Sequence, residues 1–199
     1  MHIQIWSDVV CPWCYIGTTN LQQALVGIDA DITFRSFQLD PSAPTEPMRT
    51  LQYLSGRYGP QAQEMMDQVT QVAARAGLEY HLRDSWSGQT LDAHRLLHLA
   101  AAEGVQVALA HRFFAAQFTQ GRSLFETESL VGLCVDCGLD PDRVREVLAT
   151  NEYADAVTSD IEQARRYGIT GVPFVVFDDR LAVSGAQSPE VFVQALGQV

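Results

Sequence analysis

An α/β fold carrying a large α-helical insertion is what this 199-residue chain predicts, and three observations support it. Residues 1–40 read β-α-β, residues 41–150 read almost entirely helical, and the close of residues 151–199 reads β-β-α. A sheet begun at one end of the chain and completed at the other leaves the middle as an insertion.

The elements follow in order. HIQIWSD (2–8) predicts a short strand running straight into CPWC (11–14). From Cys14 onward, Tyr15, Leu21, Leu25 and Ile28 recur at roughly helical spacing, with an end near Gly27 and Asp29. DITFRSFQL (31–39) alternates well enough for a second strand. PSAPTEPM, with Pro41, Pro44 and Pro47, breaks the pattern as a linker.

Three helical stretches come next: Met65, Met66, Val69, Val72 and Ala73; Ala93, Leu96, Leu97 and Ala100; then Ala110, Phe113, Phe114 and Phe118. Asp140 and Pro141 supply an N-cap and a first-turn proline for another helix. Tyr153, Val157, Ile161 and Ala164 mark one more, ending at Gly168. PFVVFDD and RLAVSG read as a hairpin around a polar turn, and SPEVFVQAL closes the chain as a helix with Ser188 at its cap.

Composition excludes several classes. A formal charge of -11 argues against nucleic acid or an anionic membrane surface as partner. All thirteen Lys+Arg residues are arginine, which removes Schiff-base and phosphate-loop lysines. The start, MHIQIWSDVV, shows no signal-peptide or membrane-span pattern, so the cytoplasm is the expected compartment. Four cysteines are too few for a disulfide scaffold, and a disulfide here would be transient and catalytic.

CPWC follows a strand and opens a helix, which puts Cys11 at a helix N-terminus. There unpaired backbone N–H groups and the positive end of the dipole favour a thiolate. Pro12 suits the first helical turn, and Trp13 is expected to be partly exposed and to shape access. Cys14, one turn further in, is placed to resolve a mixed disulfide formed at Cys11. CVDC (134–137) has the same spacing but ends a helix, with Gly138 as the stop. The negative dipole end disfavours a thiolate, so Cys134 and Cys137 read as core residues.

Other residues draw weaker readings. Asp8 either caps the turn after the first strand or takes a proton from Cys14, with the cap preferred. His94 and His98 stand four apart, but Arg95 replaces the glutamate of HExxH and no third ligand is evident, so no metal is expected. Phe113, Phe114 and Phe118, with Met65 and Met66, form either the insertion's core or an apolar groove, with the core preferred.

SDVVCPWCYIG, DAHRLLHLA (92–100), GITGVPF (168–174) and VSGAQSPEVF (183–192) together resemble the thioredoxin superfamily, and within it the FrnE-like branch of DsbA-type oxidoreductases. That branch is related to 2-hydroxychromene-2-carboxylate isomerases and kappa-class glutathione transferases. The resemblance implies a thioredoxin fold split into residues 1–40 and 151–199, with 41–150 as the insertion domain.

It also implies that Cys11 attacks, Cys14 resolves, and Val172 with a cis Pro173 forms a wall against which substrate backbone pairs. His94, in AHRL, would face the cleft, while from the residues alone it reads equally as a histidine on a half-buried helix. The isomerase and transferase relatives generally carry serine where Cys11 stands and use bound glutathione, so two cysteines favour dithiol chemistry. Some redox members of the branch have an additional cysteine pair, which leaves the role of CVDC open.

The expected activity is thiol-disulfide exchange on protein or peptide disulfides, with glutathione a further candidate partner. No metal or organic cofactor is needed, the direction of electron flow is open, and the chain is a monomer or homodimer. The alternatives are a glutathione-dependent isomerase or transferase acting on a small aromatic compound, and a non-catalytic binding or holdase module.

Overall fold

The computed structural model describes residues 1–199. Its main sheet has strand order β2-β1-β5-β6, with β1 (His2–Ser7) parallel to β2 (Asp31–Ser36) and antiparallel to β5 (Phe174–Phe177), which pairs with β6 (Leu181–Ser184). The first strand is therefore central, and the last two strands complete the sheet from the far end of the chain. The β5–β6 turn uses Asp178 and Asp179, both at positive φ, and both fold back on β1. Asp178 accepts from the His2 amide at 2.6 Å, and Asp179 accepts from the Gln4 side chain at 2.7 Å.

Side chains of β1 alternate between two packed faces, as the pleat requires. Ile3 and Ile5 enter the main core with Val175 and Phe177. Trp6 points the other way, against Ala164, Ile169 and Val176, and its indole N–H donates to the Asp160 carbonyl at 3.1 Å. α1 (Pro12–Ala24) and α9 (Pro189–Leu196) pack together, while α8 (Ala154–Arg166) lies on β2.

Between β2 and α8 the chain builds α2 (Thr50–Tyr58), α3 (Gln61–Arg75), α4 (Leu91–Ala102), α5 (Gln106–Phe118), α6 (Thr127–Val135) and α7 (Pro141–Ala149). It also holds a small ladder of β3 (Met48–Arg49) and β4 (Trp86–Ser87), which the helical reading of this region missed. Two residues per strand are too few for a period-2 signal. One apolar core runs from Ile3 and Leu21 through Phe113 and Phe114 to Leu130 and Val144, so the helices pack onto the sheet layer without a break.

Several end signals behave as expected and one does not. Asp140 accepts from the Arg143 amide at 2.8 Å and caps α7, with Pro141 in the first turn. Gly168, at φ 70, follows the end of α8. The second strand stops at Ser36, short of the expected Leu39, because its partner β1 ends at Ser7; beyond it the Leu39 amide is taken by the Asp8 side chain at 2.8 Å. Ser188 holds the N-cap position of α9, but its hydroxyl makes no cap bond to the helix backbone. No helix is long and apolar enough to cross a membrane.

Candidate active site

Only residues 8–10 separate β1 from Cys11, so the strand delivers the cysteine pair straight to the start of α1. Cys11 is the N-cap residue, with extended backbone at φ -89 and ψ 109, and Pro12 fills the first helical position. The turn is held from within: the Cys11 amide donates to the Asp8 carbonyl and the Cys14 amide to the Cys11 carbonyl, each at 3.0 Å. The Cys11 thiol lies 3.6 Å from the Val172 carbonyl oxygen, to which it donates. The Val172–Pro173 peptide is cis, and the Pro173 ring packs beside Gly17 of α1.

Cys14 has no exposed surface. Burial, followed by its hydrogen bond to Cys11 and the charge of that neighbour, pushes its thiol well above the ordinary value. The Asp8 charge acts in the same direction, while a hydrogen bond to the Asp8 backbone opposes it. Trp13 is 41% exposed and stands at the mouth of a cavity of about 460 Å³ between the sheet layer and the insertion. Cys11, Trp13 and Val172 line one side of it, and Met65, Met66 and Phe118 line the other.

Asp8 does not cap the turn with its side chain, as preferred from sequence. Its carboxylate is buried and committed elsewhere: Oδ2 accepts from the Leu39 amide at 2.8 Å and Oδ1 lies 3.3 Å from His94 Nε2. The turn is capped instead by the Asp8 backbone carbonyl. His94 reaches the site only through Asp8, with its Nδ1 left without a partner, and is not part of the cavity wall. His98 turns to Asp160, its Nε2 lying 3.1 Å from Oδ2, so the two histidines do not converge.

The aromatic group divides as well. Phe113 and Phe114 are wholly buried in the core, while Phe118, Met65 and Met66 face the cavity. Cys134 is buried near the end of α6, and burial pushes its thiol up to about 12. Cys137 lies past the helix end, half-buried, its thiol also raised by burial.

Sequence reading missed two features of the site. The Tyr80 hydroxyl, buried in the insertion, donates to the Pro12 carbonyl at 2.6 Å, with its ring stacked against Tyr15 and Phe118. A second cluster in the cavity wall joins Asp40, Tyr53 and Arg57. Neither sits in a recognisable motif, and Tyr80 is 68 residues from Pro12.

Comparison with known proteins agrees with this geometry. The DSBA-like thioredoxin domain matches residues 2–197. A probable DsbA oxidoreductase from Streptomyces coelicolor is 43% identical, with a TM-score of 0.93 over 100% of this chain and 89% of the other. Two more distant structures share the fold. They are a 2-hydroxychromene-2-carboxylate isomerase (16% identical, TM-score 0.74, 100% of this chain and 95% of that one) and the cytosolic disulfide reductase DsbM from Pseudomonas aeruginosa with GSH (17%, 0.73, 100% and 98%). With a family match along nearly its whole length and a dithiol at the head of α1, the chain belongs to the DsbA-like thioredoxin domain family and is a thiol-disulfide oxidoreductase.

Proposed function

We propose that the chain works through the Cys11–Cys14 dithiol on peptide and protein disulfides in the cytosol, with residues 41–150 acting as a helical roof over a catalytic layer made by 1–40 and 151–199. The observation that carries this reading is the asymmetry of the pair. Cys11 stands at the N-cap of α1 and lines the cavity, whereas Cys14 is sealed behind it.

In the reducing direction, Cys11 as thiolate attacks one sulfur of the substrate disulfide, and the other sulfur leaves as a thiolate that takes a proton from water. Cys14 then loses its proton and attacks the Cys11 sulfur, releasing the second substrate sulfur. The substrate gains two electrons and the dithiol loses two, becoming a Cys11–Cys14 disulfide. An external dithiol must restore it. Asp8, buried beside the pair, is the available acceptor for the Cys14 proton, with His94 and the Leu39 amide holding it in place. The Val172 carbonyl lies beside the Cys11 sulfur, with Pro173 behind it against Gly17, and Pro12 and Trp13 shape the approach.

Insulin reduction with dithiothreitol tests the reading. Wild type accelerates the reaction, Cys11→Ser does not, and Cys14→Ser accumulates a mixed disulfide detectable by mass spectrometry. Equal rates for wild type and Cys11→Ser would refute dithiol chemistry. Full activity in Cys14→Ser with glutathione as the required thiol would favour the isomerase or transferase alternative.

A further inference from the structure

The cavity in front of Cys11 is mostly apolar, and its charged lining is short: Asp8, Asp40 and Arg57. Arg57 is therefore the one cation available to a bound molecule, since the chain has no lysine. An acidic disulfide such as that of glutathione, with two carboxylates on each half, would need a cation there.

Arg57 is already engaged. Its Nη1 donates to Asp40 Oδ2 and, at 2.7 Å, to the Tyr53 hydroxyl, and its guanidinium lies 5.7 Å from the Tyr53 ring centroid. Asp40 is held just as firmly. Its Oδ1 accepts from the Ser42 amide at 2.9 Å and the Ser42 hydroxyl at 2.6 Å, while Oδ2 accepts from the Tyr53 hydroxyl and Arg57. These donors keep its carboxyl ionised, below the ordinary value. With four donors satisfied, Asp40 has no reason to release Arg57 to a visiting carboxylate.

We propose that Asp40 is a specificity-determining residue: it occupies Arg57 with a carboxylate of the protein's own, so that the cavity selects neutral disulfides carrying an apolar group beside the sulfur and rejects acidic ones. The inference rests on the dithiol reading above. Apolar selection comes from the walls that Met65, Met66, Leu54 and Phe118 supply, where an uncharged side chain loses water at no ionic cost. Rejection comes from charge, because Asp40 already balances the one cation in the lining and Asp8 adds a second carboxylate to it.

The test is single-turnover oxidation of the reduced protein by two probes: glutathione disulfide and the neutral disulfide of N-acetyl-Cys-Phe-amide. Rapid quenching, alkylation and mass spectrometry give a second-order rate constant for each. The ratio of acidic to neutral rates is the readout, since a merely structural defect lowers both together.

Wild type should favour the neutral probe, and Asp40→Asn should raise the acidic-to-neutral ratio about fivefold, the size of a half-exposed ion pair. Adding Arg57→Gln to Asp40→Asn should remove that gain, because the cation that Asp40→Asn frees is then gone. The proposal is overturned if wild type prefers glutathione disulfide, if Asp40→Asn leaves the ratio unmoved, or if the Asp40→Asn, Arg57→Gln double variant keeps the gain. Each of these results leaves dithiol chemistry intact. Failure of wild type to react with either probe would instead overturn the dithiol reading along with the inference.

Discussion

Gly17→Ala tests the contact that sets the distance between α1 and Pro173. An added Cβ at position 17 would lie 2.7 Å from Pro173 Cγ and 3.2 Å from the Ala186 Cα, against 3.4 Å at the close end of ordinary contact. The intrusion on the proline is 3.4 − 2.7 = 0.7 Å. A pyrrolidine ring cannot rotate away, and on the other side the obstacle is backbone, so one element must shift.

Gly17 has ordinary helical backbone, so alanine gains about 0.8–1 kcal/mol of helix propensity. Overpacking of this kind costs about 1–3 kcal/mol. The net expectation is a loss of about 1 kcal/mol, read as a fall of about 0.5 M in the urea midpoint. Activity should suffer more than stability. Moving Pro173 by a few tenths of an ångström carries Val172 with it, and a misplacement of about 1 Å can cost roughly 100-fold in rate, so a loss of about tenfold in insulin reduction is expected. A Gly17→Ala protein that gains about 1 kcal/mol and keeps wild-type activity would refute the tight α1–Pro173 contact.

Tyr80→Phe removes one buried hydroxyl while keeping the ring that stacks on Tyr15 and Phe118. It should cost about 1 kcal/mol in urea unfolding and slow mixed-disulfide formation, because the Pro12 carbonyl loses its only tie to the insertion's tyrosine; unchanged values in both assays would show that the bond does not hold the turn. His111 is held below its ordinary 6.5 by burial, so the unfolded chain binds more protons than the folded one just under that pH. Its contribution is complete above 6.5 and is lost as the pH falls below it, with a slope of at most about 1.4 kcal/mol per pH unit. The stability of wild type relative to His111→Gln should therefore shrink between pH 8 and pH 5, and an unchanged difference by urea unfolding would refute the assignment.

What could be read in the sequence was whatever rests on neighbouring residues. Pro12 after a strand marks a helix start whatever surrounds it, and Cys11 duly becomes the N-cap. Asp140 with Pro141 marks another, and its cap bond spans only three residues. Alternation marked β2, and the short apolar run of β5 marked the hairpin, a run without alternation because that strand buries both faces. The site's supporting contacts are long-range instead. Asp8 depends on Leu39, 31 residues on, and on His94, 86 residues on. Nothing near Asp8 announces either partner, so its side chain reads as a local cap until tertiary packing claims it. Phe118 and Phe113 share one helix yet face the cavity and the core respectively, a division that spacing alone does not decide.

The two CxxC quartets show how far local electrostatics reaches. Both have the same spacing, and both lead cysteines are buried, Cys11 at 3% exposure and Cys134 at none. At Cys134 burial favours the neutral thiol. Cys11 differs in what surrounds that burial. It heads α1, where free backbone N–H groups favour a negative charge, and it opens onto a cavity a substrate can enter. Cys134 closes α6, where its own carbonyl accepts the amides of Cys137 and Leu139, and it has no part in the cavity before Cys11. A thiolate there would face the negative end of its helix in an apolar core. The same CxxC spacing at opposite ends of a helix thus sets the proposed reactive pair, CPWC, apart from CVDC, and the insertion contributes the far wall of the cavity onto which Cys11 opens.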